Sequence, residues 1–84
     1  MPYYFIICRS LTYAQRTAAA LERAGISAQI FRSPKSLAGE GCSYVVKIAQ
    51  KHLTKGLQVL HQAGLDPKRV FVFNSDGRYQ EVAF

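Results

Sequence analysis

One stretch without periodicity divides the chain: Ser33-Pro34-Lys35-Ser36-Leu37-Ala38-Gly39-Glu40-Gly41-Cys42-Ser43-Tyr44. On either side of it the residues read as strand then helix, so the two halves follow the same plan. Before it, Tyr3 to Arg9 is a β-rich run with no charge until its last residue, the mark of a central strand buried on both faces. Ser10 stands at an N-cap position, and Leu11, Ala14, Ala18, Leu21 and Ala24 fall on one helical face before Gly25, a natural stop. From Ile26 to Arg32 the pattern has period two, with Ile26, Ala28 and Ile30 set against Ser27, Gln29 and Phe31.

The second half repeats this order. Tyr44 to Ile48 is a strand in which Lys47 marks the more exposed face, so Val45 and Lys47 point one way while Tyr44, Val46 and Ile48 point to the helices. A helix follows with Leu53, Leu57 and Leu60 as its stripe and Gly64 as its stop. Thr54 is a candidate cap, and Gly56 weakens the helix by about 1 kcal/mol relative to Ala. Arg69 to Asn74 is a fourth strand, Ser75-Asp76-Gly77 a turn, and Arg78 to Ala83 a short edge strand pairing back. The order strand, helix, strand, strand, helix, strand predicts an α+β, ferredoxin-like βαββαβ fold: an antiparallel sheet with two helices on one face and a short extra C-terminal strand.

At 84 residues the chain makes one domain, 1–84, with a modest core. Eleven basic and five acidic residues give a net charge of +6, but no basic run exceeds the pair Lys68-Arg69, which reads as a solvated surface before it reads as a nucleic-acid footprint. The start Met1-Pro2-Tyr3-Tyr4-Phe5-Ile6-Ile7-Cys8 has no basic leader, and its apolar run is far below the roughly 20 residues needed to cross a bilayer. The expected location is the cytosol, without membrane contact, where both cysteines are reduced at rest. His52, His61 and the two cysteines lack the spacing of a zinc site, and no metal is expected. The acidic residues are scattered singly, and no Ser/His/Asp order stands out, which leaves hydrolytic chemistry little to stand on.

Long loops in small domains are uncommon and often functional, so a thiol at the end of one is the first place to look for chemistry. Two readings of Cys42 stand side by side. A free cysteine is commonly a small buried hydrophobe; at a loop end it is also a candidate reactive thiol. In the expected topology the first and third strands are antiparallel neighbours, which sets Ile7-Cys8-Arg9 beside Cys42-Ser43-Tyr44. The N-terminus of the first helix, at Ser10-Leu11-Thr12, lies at the same edge. Its unpaired N–H groups and a basic neighbour such as Arg9 or Lys35 favour a thiolate. Gly39 and Gly41 would let the loop carry Cys42 between exposed and docked positions.

The segment Pro34-Lys35, Leu37, Ala38-Gly39, Gly41-Cys42 resembles the loop of the small selenium/sulfur carrier-like domains of bacteria. The strand ending in Ser10 before an Ala-rich helix with Ala14, then Gly25-Ile26, is similar as well. The resemblance implies a carrier rather than a turnover enzyme. Cys42 would hold sulfur or selenium as a persulfide or selenopersulfide, and Arg9, Ser10, Thr12, Pro34, Lys35, Gly39, Gly41 and Ser43 would surround it. Cys8 is the candidate resolving thiol, set against its reading as a buried strand residue. The implied partners are donor and acceptor proteins, with no cofactor beyond the covalently carried atom.

Two alternatives come from other classes. The βαββαβ order also belongs to RNA-recognition modules, whose third strand carries a basic-Gly-aromatic signature. Here Glu40-Gly41-Cys42-Ser43-Tyr44 replaces the basic residue and the first stacking aromatic, so nucleic acid is not the expected partner. Phe5, Tyr13, Phe71, Phe73 and Tyr79 read as packing residues rather than a ligand box. The third class is a regulatory or assembly domain. A ferredoxin-like sheet leaves one face bare, and an apolar bare face suggests a homodimer or another partner.

Overall fold

The structure, a computed structural model, describes residues 3–32, 44–67, 69–74 and 76–82. Among these lie β1 (Tyr3–Cys8), α1 (Leu11–Arg23), β2 (Gln29–Arg32), β3 (Tyr44–Ala49), a 3-10 turn (Gln50–His52), α2 (Leu53–Gln62), β4 (Val70–Phe73) and β5 (Tyr79–Glu81). The strands form one sheet in the order β2-β3-β1-β4-β5, every pair antiparallel. This is the expected α+β arrangement, ferredoxin-like with one added edge strand.

The helices end where glycine permits it. Gly25 (φ 82°) and Gly64 (φ 73°) take left-handed conformations. At the first, the Ile26 N–H donates to the Leu21 carbonyl and the Gly25 N–H to that of Glu22, both at 3.0 Å. At the second, the Leu65 N–H reaches the Leu60 carbonyl at 2.8 Å. Both are six-to-one closures that turn an apolar residue, Ile26 or Leu65, back onto the last buried leucine of its helix. β2 begins only at Gln29, three residues later than the period-two pattern suggested.

Ser10 caps α1 as expected, its hydroxyl accepting from the Tyr13 N–H at 3.2 Å. The buried stripe starts one turn later than expected: Ala14, Thr17, Ala18 and Leu21 are covered, while Leu11 is 44% exposed. Thr54 does not cap α2. The 3-10 turn runs directly into the helix, the Leu53 N–H donating to the Gln50 carbonyl, and His52 holds the cap position without a side-chain bond.

Between helices and sheet lies the core of Ile6, Cys8, Leu21, Ile26, Val46, Ile48, Leu60 and Val70. Gly56 is buried in α2 against it; a Cβ there would stand 3.3 Å from Leu21 Cδ2 and 3.4 Å from Ile48 Cδ1. The glycine that weakens the helix locally is what lets it approach this closely. β1 is central, as expected, but only its helix-side residues are fully covered. Phe5 and Ile7, on the other side, are half-buried.

Candidate functional site

The register assembles the edge that the sequence pointed to. Cys8 pairs with Tyr44, and Tyr44 pairs with Arg32 on its other side. Arg32 and Tyr44 therefore stand side by side at the end of β1 that leads into Arg9 and Ser10. The α1 N-terminus begins at the same place. Its first N–H groups, at Leu11 and Thr12, have no intrahelical acceptor, since helix geometry supplies none there. No acidic residue occupies the first turn, and Arg9 and Thr12 are exposed. Pro34, Lys35, Gly39, Gly41, Cys42 and Ser43 lie outside the described residues.

Cys8 is placed plainly. Its side chain points to the helices and is 1% exposed. The sulfur lies 3.8 Å from the Ile6 carbonyl oxygen and 3.9 Å from the Thr17 hydroxyl. Burial pushes the thiol above its ordinary 9.0, and the Thr17 hydrogen bond opposes that rise. Such a sulfur is neither accessible nor readily ionised. Tyr44, Val46 and Ile48 face the helices and Val45 the opposite side, as the period of two requires.

The bare face of the sheet holds residues that sequence reasoning assigned to packing or passed over. Phe5, Ile7, Val45, Phe71 and Tyr79 form a second apolar cluster there. Tyr79 meets Phe5 and Phe73 edge to face, with centroids 5.6 and 4.8 Å apart. Tyr3, Phe31 and Phe73 remain 42%, 46% and 39% exposed. The Lys47 ammonium lies 4.0 Å from the Tyr3 ring centroid and 5.8 Å from that of Phe31. Arg69 covers Phe71 at 4.9 Å and donates two hydrogen bonds to Glu81, at 3.1 and 3.2 Å. That pair holds the Glu81 carboxyl below its ordinary range. The available signal was parity: alternation within each strand, joined through the register, puts Phe31, Lys47, Phe5 and Phe71 on one face.

Among the described residues no three His, Cys, Asp or Glu side chains are grouped to hold a metal, and no helix is long and apolar enough to cross a membrane. The family model described as "Putative Se/S carrier protein-like" matches residues 3–72, well over half of the 84-residue chain. No curated protein and no solved structure matches.

Proposed function

The chain belongs to the Se/S carrier-like family, and from that premise we propose that it carries sulfur or selenium on Cys42 between a donor and an acceptor protein. The observation that carries this reading is the family match across residues 3–72, which spans Cys42. The register supports it, because it sets Tyr44, two residues after Cys42 in sequence, beside Cys8 at the end of the sheet where Arg9 and the α1 N-terminus follow. A helix N-terminus and a nearby guanidinium stabilise a thiolate, and the thiolate is the nucleophile in exchange.

In the first step the Cys42 thiolate attacks the terminal sulfur of a donor persulfide. The new S–S bond forms as the donor's own S–S bond breaks, and the donor leaves as a thiolate. The product is Cys42–S–SH, or Cys42–S–SeH from a selenopersulfide. An acceptor thiolate repeats the exchange and releases Cys42 as thiolate. Neither step needs a resolving cysteine, and the burial of Cys8 favours packing as its role. Intact mass after incubation with a persulfide donor tests the reading. The wild type should gain one reducible sulfur and Cys42→Ser none; equal gain in both would refute it.

A further inference from the structure

The bare sheet face carries two neighbouring hollows that share Lys47. One, of about 300 Å³, has Val45 as its floor, Phe5, Phe31 and Tyr79 as walls, and Arg32 and Lys47 at its rim. The other, of about 320 Å³, lies beyond Lys47 and is bounded by Tyr3, Gln29, Ala49, Lys51 and His52 among others. Among the described residues neither is lined by Asp or Glu. Among the described residues Lys47 has no carboxylate partner, and its ammonium rests on the Tyr3 and Phe31 rings. The two hollows follow β3 from Val45 to Ala49, about 13 Å at strand rise.

We propose that this track is a binding site for single-stranded nucleic acid, with bases against the exposed aromatic rings and phosphates at Arg32, Lys47 and Lys51. Single strands are held by a cationic groove interleaved with stacking aromatics, and that combination recurs here on both sides of Lys47. Charge selects the occupant. On a second copy of the chain, the same cations would meet across a two-fold axis, and among the described residues the carboxylate on this face, Glu81, is already bonded to Arg69. The case against nucleic acid in the sequence rested on Glu40 and Cys42, which stand where a third-strand signature has a basic residue and an aromatic; both lie outside the described residues. Tyr44 does face the helices, but the exposed rings come from β1, β2 and β4. The site is independent of Cys42, so its failure leaves the carrier reading intact.

The test is fluorescence anisotropy with a labelled single-stranded RNA of about ten nucleotides, within the usual site sizes. Phe31→Ala and Tyr3→Ala should each weaken binding at least about fivefold, the low end of one lost base stack. Lys47→Gln should weaken it and lower the salt slope by about one. Arg16→Gln and Lys55→Gln, on the exposed surface of the helices, should change nothing. Helix variants that weaken binding as much as Lys47→Gln would overturn the proposal. So would unchanged affinity in both aromatic variants, equal affinity for the duplex, or displacement of the RNA by a glutamate-rich peptide at lower concentration. Should an aromatic variant fail to fold, amide shifts in the wild type decide: they should centre on Phe5, Phe31, Val45 and Lys47, and shifts confined to α1 and α2 would refute the site.

Discussion

Gly56→Ala sets helix propensity against packing, and the two predict opposite signs. Within α2 the alanine should stabilise by about 1 kcal/mol, because glycine is a poor helix former. The new methyl, however, enters at 3.3 Å from Leu21 Cδ2 and 3.4 Å from Ile48 Cδ1, closer than the roughly 3.5–4.0 Å of comfortable carbon contacts. Leu21 and Ile48 are both buried in an interior packed at crystal-like density, so neither can retreat into free space. Overpacking of this kind costs about 1–3 kcal/mol. The net expectation is a loss of about 1 kcal/mol, read as a lower urea midpoint at unchanged slope. Ile48→Val deletes the Cδ1 that stands in the way and alone costs about 0.5–1.5 kcal/mol. Combined with Gly56→Ala it should cost at least about 0.5 kcal/mol less than the sum of the two, since the new methyl fills the vacated space. A stabilised Gly56→Ala that adds independently to Ile48→Val would refute the packing argument.

Ser10→Ala removes the acceptor of the Tyr13 N–H and should cost about 1 kcal/mol of stability, and an unchanged urea midpoint would refute its role as the cap. Native Cys8 should resist alkylation until the fold opens, and it should make stability pH-dependent. Folding raises its pKa, so its contribution is fully present below 9.0 and is lost as pH rises through the folded value. Stability should accordingly fall more steeply above pH 9.0 in the wild type than in Cys8→Ala, and parallel profiles would refute this.

What the sequence determined by itself is what near neighbours along the chain control. Alternation in Tyr44-Val45-Val46-Lys47-Ile48 placed every side chain of β3 on its correct side, because a strand's period of two leaves no choice once Lys47 is assigned to the open face. Gly25 and Gly64 marked both helix stops, because the left-handed residue there is set by the backbone itself. Ser10 was legible for the same reason, its acceptor being three residues away. Element order placed the end of β1 beside the start of β3, and the register then pairs Cys8 with Tyr44.

Tertiary structure decided whatever depends on distance between elements. Propensity made Gly56 a weak point, but only the approach of α2 to Leu21 and Ile48 makes it necessary. The sequence favoured packing over a resolving role for Cys8, but only the core beneath α1 sets how deeply its sulfur is buried. The bare face is the fullest case. Tyr3, Phe5, Phe31, Lys47 and Tyr79 come from four strands, and no local pattern records that β2-β3-β1-β4-β5 is the order in which those strands lie side by side. Each strand's alternation says which of its own residues share a side. Only the hydrogen-bonded register adds those sides into one surface, with both helices packed on the opposite face.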